Sequence, residues 1–298
     1  MSDSSAEDSP PIAATDPSAP TDPTAAIARS PEEEKARQRR LSRGERFQAA
    51  DLDVLYRDDR FIAIDKPSGL LVHHSHIARD VRVVALQLVR RIARRRVHAV
   101  HRLDRGTSGV LLFALDPEAA RDAADLFAAR RVQKTYYAVV RGHPPPAGHI
   151  DHPLNQSKTS ERRPATTDFV RRETVELDIP VGRFPTTRYG LLELAPHTGR
   201  RHQLRRHCCH IHHPIVGDTT HGDARHNRLF RRQWGAHRLL LFAARLRFEH
   251  PYTGEPLDLR AGPDPTLARL CDVFGWRDPL ARPYDSDGDR AQIGGESP

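Results

Sequence analysis

An aspartate set between two arginines is the first feature of this sequence that could do chemistry. In the stretch HAVHRLDRGTSGVLLFAL, Asp104 stands between Arg102 and Arg105, and a Gly-Thr-Ser-Gly turn leads directly into an apolar run. An isolated pattern of this kind is often no more than a solvated surface ion pair. A carboxylate presented at the edge of a buried strand could instead act as a nucleophile or as a general base.

Zinc binding is a second chemistry to consider, because the segment HCCHIHH at residues 207–213 offers four histidines and two cysteines. On a helix the adjacent Cys208 and Cys209 would point about 100° apart. No C-x-x-C pair or distant histidine pair completes a tetrahedral set. The spacing therefore argues against zinc, and we predict that the protein uses no metal.

The letters HRLDR also resemble the catalytic loop of a protein kinase. In kinases the order is H-R-D, which Leu103 interrupts here, and neither a glycine-rich nucleotide loop nor a D-F-G motif follows. A kinase is therefore excluded.

Three segments taken together, HRLDRGTSG, KTYYAVVRG and TGRRHQLRRH, resemble the RluA-type pseudouridine synthases. That family has H-R-L-D-x-x-T-S-G around a catalytic aspartate, K-x-Y at a tyrosine beside the target base, and G-R-x-H-Q-[LI]-R around an arginine that pairs with the aspartate. All three motifs occur here in the family's order, and the resemblance covers roughly residues 52–276. Three ordered motifs are far more specific than any one of them.

The resemblance implies an enzyme that isomerises uridine to pseudouridine in RNA. The bond from ribose C1′ to base N1 breaks, the uracil turns, and the bond re-forms through C5, which requires no redox step and no cofactor. By this resemblance Asp104 is the catalytic residue, and it either adds covalently or removes the 2′ proton; both routes stay open. Because a buried carboxylate stays ionised only when an opposite charge lies close by, we expect Arg205 beside it.

The other residues that the resemblance assigns to the site would contact the RNA. The target base must leave the helical stack at a cost of roughly a few kcal/mol, and Arg102 is the implied side chain that fills the vacated space. Tyr136 would stack on the uracil, and Leu204 would pack near it. Arg200 and Arg201 are expected to contact phosphates rather than take part in bond making.

The stretches HPIVGDTTHGD, HNR and FGWR favour those members of the family that modify uridine 65 of tRNA. Two alternatives stay open: a member that acts on ribosomal RNA, and a non-catalytic RNA-binding protein that has retained the fold. The presence of Asp104, Tyr136 and Arg205 argues against the second alternative. We expect RNA, above all tRNA, as the partner of a monomer that needs no membrane.

Hydrophobic spacing predicts the elements that must position these residues. The run VLLFAL is predicted to be a buried strand, and Asp116 with Pro117 to begin the helix that follows it. Thr198 is predicted to cap the basic helix that contains Arg205. Strands dominate and helices are interspersed, so we expect an α+β fold with a mixed, largely antiparallel central sheet flanked by helices and loops.

Composition divides the chain into three parts. Residues 1–44 are rich in Ser, Pro, Ala and acidic residues and contain almost no bulky apolar residue, which predicts a disordered leader. Residues 281–298 have a similar composition and are predicted to be a flexible tail. Residues 45–280 remain as the pseudouridine synthase catalytic domain.

The central part of the chain is strongly basic. Residues 1–44 contain eight acidic and six basic side chains, so the remainder of a chain with a net charge of +8 carries +10. Of the 47 basic residues 43 are arginine, whose planar guanidinium suits phosphate oxygens. The arginines cluster at residues 90–96 and 200–206, and we expect both clusters along one continuous RNA groove.

Cysteine content and hydropathy predict a cytoplasmic protein. Three cysteines are too few for a disulfide framework in a chain of 298 residues. No apolar run approaches the length of a membrane span, and the N-terminal residues do not have the pattern of a signal peptide.

Overall fold

The computed structural model describes residues 47–74, 83–156, 160–262 and 264–283. These ranges contain a short 3-10 helix at Ala49–Asp51 and twelve strands, namely β1 (Asp53–Arg57), β2 (Phe61–Lys66), β3 (His98–Ala99), β4 (Ser108–Ala114), β5 (Gln133–Arg141), β6 (Ala147–Asp151), β7 (Leu154–Asn155), β8 (Arg162–Arg163), β9 (Thr166–Leu177), β10 (Thr187–Pro196), β11 (Leu241–Glu249) and β12 (Pro256–Arg260). They also contain five α-helices, namely α1 (Ala85–Ala93), α2 (Pro117–Ala128), α3 (Gln203–His210), α4 (Ala224–Trp234) and α5 (Pro265–Phe274). The predicted leader and most of the predicted tail lie outside the described residues.

Ten of the strands form one mixed sheet. The order is β1-β2-β4-β11-β5-β10-β9-β6, with β3 paired to β4 and β12 paired to β11. Among these described strands β4 and β11 are the one parallel pair, and the other pairings are antiparallel. The predicted α+β fold with a mixed, largely antiparallel sheet is confirmed.

The apolar run of β4 is buried because helices cover both faces of the sheet at this strand. Val110 and Leu112 pack in the same hydrophobic cluster as α2, whereas Leu111 and Phe113 pack with α1 on the opposite face. Successive side chains of a strand alternate between its two faces. A strand covered on both faces must therefore be apolar throughout, which explains why the sequence indicates a buried strand here.

The predicted start of α2 agrees with the structure. The Asp116 carboxylate accepts a hydrogen bond from the backbone N–H of Ala119 at 2.9 Å, and Pro117 is the first helical residue. Short-range capping chemistry was enough to locate this helix start, because all the groups involved are neighbours in the chain.

The predicted cap of α3 was wrong. The residue before the helix is His202, in the left-handed region with φ 53°, and not Thr198. The Thr198 hydroxyl instead donates to Gln203 Oε1 at 2.7 Å, and the same oxygen accepts the backbone N–H of Arg200 at 3.0 Å. These two bonds close a turn before the helix begins, so the helix starts later than the sequence pattern suggested.

Helix α1 ends before the last arginines of the cluster at residues 90–96. It ends at Ala93 because Arg94 adopts a left-handed φ of 54°. Arg95 Nε then donates to the carbonyl of Leu115, which directly follows β4.

No helix in the described ranges is both long enough and apolar enough to cross a membrane.

Candidate active site

A cleft of about 770 Å³ opens beside the N-terminal end of β4. Its walls come from the loop before β4, from β5, from the C-terminal end of α2 and from the segment that leads into α3. The cleft is lined by all seven residues that the sequence analysis assigned to the site, namely Arg102, Asp104, Tyr136, Arg200, Arg201, Leu204 and Arg205.

A tight turn presents Asp104 to this cleft. Its carbonyl accepts the backbone N–H of Thr107 at 3.1 Å, and β4 begins at the next residue, Ser108. Gly109 has φ +108°, and a Cβ at this position would lie 2.1 Å from the carbonyl oxygen of Ala243. Glycine is required here because β4 and β11 approach each other too closely for any side chain.

Arg205 lies beside Asp104 although the two residues are far apart in the chain. Arg205 Nη1 donates to Asp104 Oδ2 at 3.2 Å, and the Asp104 side chain is 22% exposed. The guanidinium also donates from Nε and Nη2 to both oxygens of Asp218, at 2.7 and 2.8 Å. Burial opposes the charged form of Arg205, but hydrogen bonding and attraction to Asp218 raise its pKa. The arginine therefore stays cationic and places a positive charge beside the Asp104 carboxylate.

Asp218 is a part of the site that the sequence analysis missed. Its side chain is 1% exposed and also accepts the backbone N–H groups of Thr220 and His221, at 2.8 and 3.0 Å. Burial opposes ionisation, but the hydrogen bonds from Arg205 and from the backbone lower the pKa of Asp218. Asp218 therefore orients the guanidinium and leaves one N–H edge for the Asp104 carboxylate.

The turn around Asp218 is itself tightly held. Asn227 of α4 donates from Nδ2 to the Asp218 carbonyl and accepts the N–H of Gly217 at its Oδ1, at 2.8 and 2.7 Å. Gly217 has φ +81°, and a Cβ there would lie 1.8 Å from the Arg238 carbonyl oxygen. The residues that hold Arg205 in place thus come from the stretches HPIVGDTTHGD and HNR. The sequence analysis used these stretches only to choose among members of the family.

A buried lysine supports the loop of Asp104 from behind. Lys66 is fully buried, and its Nζ donates to the carbonyls of Pro67 at 2.9 Å and Arg105 at 3.4 Å. Burial, followed by repulsion from Arg238, lowers the pKa of Lys66 to about 7. Since one of these carbonyls belongs to the residue after Asp104, Lys66 contributes to the position of the catalytic loop.

Tyr136 presents an aromatic ring at the centre of the cleft. It lies on β5 opposite Ala243 of β11 and Leu194 of β10, and its side chain is half-buried. Burial, followed by the charge of Asp104, raises the pKa of Tyr136. Its hydroxyl has no hydrogen-bond partner among the residues that the structure describes. The ring face is therefore the part of this side chain that is suited to hold a flat base.

The remaining predicted site residues are one leucine that packs in the core and three arginines. Leu204 is 6% exposed and packs in a hydrophobic cluster with Leu241, although it also lines the cleft. Arg200 Nε donates to the Pro164 carbonyl at 3.2 Å. Arg102 and Arg201 are exposed and have no paired carboxylate in the described part of the chain, so both guanidinium groups are available to RNA.

Two other ionisable residues of the motifs have structural roles. His101 Nε2 accepts the N–H of Leu112 at 2.9 Å and its ring stacks on Phe127, while burial lowers its pKa to about 3. Lys134 Nζ donates to the Thr198 carbonyl at 3.2 Å, and burial, followed by a neighbouring arginine, lowers its pKa to about 8. His101 is therefore neutral and holds β4, and Lys134 joins β5 to the segment before α3.

The two arginine clusters do not share this cleft. Residues 200–206 contribute three of its arginines, whereas residues 90–96 contribute none of its lining. Arg95 contacts the carbonyl of Leu115, and an extended strand from Ser108 to Leu115 measures roughly 23 Å. Helix α1 therefore ends at the opposite end of β4 from the Asp104 loop, and the expectation of one continuous RNA groove stays a prediction.

This geometry combines a carboxylate beside a buried guanidinium, an aromatic face and exposed arginines in one cleft, which suits chemistry on a base of a phosphodiester chain. Residues 60–210 match the family model described as RNA pseudouridylate synthase, which covers about half of the chain. The chain belongs to this family and is an RNA pseudouridine synthase. The resemblance drawn from the three motifs is confirmed.

Among curated relatives, the chain is similar to proteins named tRNA pseudouridine synthase C. Over 239 residues it is 45% identical to the protein of that name from Vibrio cholerae serotype O1. This alignment covers 77% of our chain and 98% of the relative. The Salmonella typhi protein of the same name is 45% identical over 236 residues, covering 76% of this chain and 91% of the relative.

Solved structures show the same fold. Human RNA Pseudouridylate Synthase Domain Containing 1 matches with a TM-score of 0.62 and 28% identity, covering 84% of this chain and 96% of the human one. Human RNA Pseudouridylate Synthase Domain Containing 4 matches with a TM-score of 0.56 and 26% identity, covering 73% and 92% of the two chains.

Replacement of Tyr136 tests the role of its ring. Tyr136→Phe keeps the ring and removes a hydroxyl that has no partner in the described residues, so this variant should fold and bind RNA. Tyr136→Ala removes the stacking face and should lower kcat/KM by roughly 10-fold to 100-fold. Both variants are to be compared by turnover of a uridine-containing RNA and by thermal unfolding. If the folded alanine variant were as active as the wild type, Tyr136 would be a packing residue only.

Proposed function

We propose that this synthase converts uridine 65 of tRNA to pseudouridine, without a cofactor, as a monomer in the cytoplasm. The observation that carries the proposal is the Asp104 carboxylate, hydrogen-bonded to Arg205 at a cleft with an aromatic face and exposed arginines. The names of the relatives, which refer to tRNA, support this choice of RNA. The three cysteines, all unpaired, support a reducing compartment.

The reaction is an isomerisation, so its atoms balance within the nucleotide. The bond between C1′ and N1 breaks and a bond between C1′ and C5 forms, while one proton leaves C5 and N1 gains one. Asp104 supplies the carboxylate that either adds to the substrate or removes the 2′ proton. Arg205 places its positive charge beside that carboxylate, and Asp218 keeps Arg205 in place.

The cleft also supplies what the displaced base requires. A uracil turned out of the helical stack loses stacking worth roughly a few kcal/mol, which the Tyr136 ring and the adjacent apolar surface of Leu204 offset in part. Arg102 is exposed at the edge of the cleft, where its side chain can occupy the space that the base leaves. Arg200 and Arg201 face the phosphates on either side.

The substrate is identified by mapping pseudouridines in RNA from cells that lack the protein. We expect pseudouridine to disappear from position 65 of tRNA and to return when the wild-type chain, but not Asp104→Asn, is supplied. Unchanged tRNA together with a lost pseudouridine in ribosomal RNA would overturn the tRNA proposal and favour a ribosomal substrate.

The salt dependence of tRNA binding tests which arginines contact phosphates. Binding should weaken steeply with salt, and Arg201→Ala should flatten the slope of log affinity against log salt by roughly one unit. Arg94→Ala is the matched control, since Arg94 follows α1 and does not line the cleft. Equal flattening by both substitutions would show that the RNA also covers the end of α1.

A further inference from the structure

A group of two histidines and one aspartate lies beside the cleft, and one of its members, His197, also lines the cleft. His149 Nδ1 is 2.5 Å from Asp168 Oδ1, and His197 Nε2 is 2.6 Å from Asp168 Oδ2. One donor atom from each of the three residues lies within 4.8 Å of the other two. We propose that His149, Asp168 and His197 bind a divalent transition-metal ion of the zinc class.

Neighbouring strands hold the three side chains in place. His149 of β6 lies directly opposite Asp168 of β9, which in turn lies opposite Ala195 of β10. His197 follows β10, and its backbone N–H donates to the Thr166 carbonyl at 3.1 Å. The donors are thus positioned by a sheet and not by a flexible loop, so little ordering is required when an ion binds.

The distances are compatible with a zinc ion. Tetrahedral ligands about 2.1 Å from the metal lie about 3.4 Å from one another. The present separations run from 2.5 Å to at most 4.8 Å, on both sides of that value. Small rotations of the two imidazoles would bring all three donors to the ion, and the ion would replace the protons that the rings now share with the carboxylate.

The charges also favour a cation. Asp168 is partnered only by the two imidazoles among the described residues, in a chain with 43 arginines. Two imidazoles and one carboxylate are a donor set that zinc, nickel and copper prefer. The three side chains are 47% to 55% exposed, so water or an RNA phosphate can complete the coordination.

An ion at this position would act on the catalytic cleft through the segment before α3. His197 lines the cleft and directly precedes Thr198. The Thr198 carbonyl accepts a hydrogen bond from the Lys134 ammonium group. The Thr198 hydroxyl donates to the side chain of Gln203, which is the first residue of α3. That helix carries Arg205. Metal binding would therefore tie β6 and β9 to the segment that positions the catalytic arginine.

The test uses the full chain after treatment with a chelator. Zn²⁺ is titrated by calorimetry into the wild type, Asp168→Asn and His197→Gln, and thermal unfolding is followed with and without Zn²⁺. We expect one ion per wild-type chain, a loss of affinity of at least about 100-fold in each variant, and a higher Tm with Zn²⁺ for the wild type only. Circular dichroism of the zinc-free variants checks that each one folds.

The histidine- and cysteine-rich segment at residues 207–213 requires a matched control, since it could also bind zinc. Cys209→Ser and His210→Gln change exposed candidate ligands there and should leave Zn²⁺ binding unchanged. A visible spectrum with Co²⁺ should show nitrogen and oxygen ligands without thiolate charge transfer. The proposal is overturned if the wild type shows no saturable Zn²⁺ binding, or if binding survives Asp168→Asn but is lost in either control variant.

Discussion

Asp104→Asn is expected to stop pseudouridine formation while the protein still folds and binds RNA. The substitution keeps the size of the side chain and an oxygen that Arg205 can donate to, but it removes the charge that attacks the substrate or accepts a proton. We expect turnover to fall by at least about 100-fold. RNA affinity should be unchanged or slightly higher, because one negative charge leaves a cleft that receives phosphates. Release of tritium from uridine labelled at C5 measures the reaction, since that proton is lost in it.

Asp116→Asn is a suitable control for this experiment. Asp116 caps α2 near the other end of β4 and pairs with Arg60, so its replacement changes a carboxylate of the same domain outside the cleft. Asparagine caps a helix about as well as aspartate, so the substitution should cost less than about 1 kcal/mol through the lost pair with Arg60 and leave turnover unaffected. If a correctly folded Asp104→Asn retained more than a few per cent of the wild-type rate, the assignment of Asp104 would fail.

Asp218→Asn is expected to lower both turnover and stability, although Asp218 does not line the cleft. An amide cannot offer Arg205 two anionic oxygens, so a buried guanidinium is left without its main charge partner. Loss of one member of a buried pair costs roughly 3 kcal/mol. The folded fraction should show a kcat lowered by roughly tenfold or more with little change in KM for RNA, because positioning of Asp104 is affected and the exposed arginines are not.

Asp223→Asn separates positioning from stability. Asp223 also caps a helix, pairs with Arg141 at 2.8 Å and has a side chain that is 13% exposed, but it does not line the cleft. We expect this control to lower the unfolding temperature without lowering kcat at a temperature where the enzyme is folded. If the two variants lose kcat to the same extent, Asp218 supports only the fold.

Local patterns were sufficient to predict the structure around Asp104. The turn that presents Asp104, the burial of β4 and the cap at Asp116 all depend on residues a few positions apart, and each was predicted from its own segment. The motifs around Tyr136 and Arg205 identified the other two principal residues by their resemblance to a family. The lining of the cleft then shows that these segments meet in space.

The supporting residues could not be found in this way. Asp218 binds the guanidinium of Arg205, and Lys66 binds the carbonyl of Arg105. Both partners belong to other segments of the chain. Neither residue stands in a pattern that reveals its partner, and a buried lysine or aspartate is recognised only when the surrounding elements are known. The same holds for His149, Asp168 and His197, which come from three separate segments.

The class of reaction could be predicted from the sequence alone, because three motifs in one order are specific to a family. The fold class could be predicted as well, since the spacing of apolar residues depends on local geometry. The contacts between charges became known only from the packed fold. Arg205 lies between Asp104 and Asp218, and Arg95 lies at the far end of β4. Such contacts arise from the packing of distant segments, so no periodicity or spacing along the chain records them.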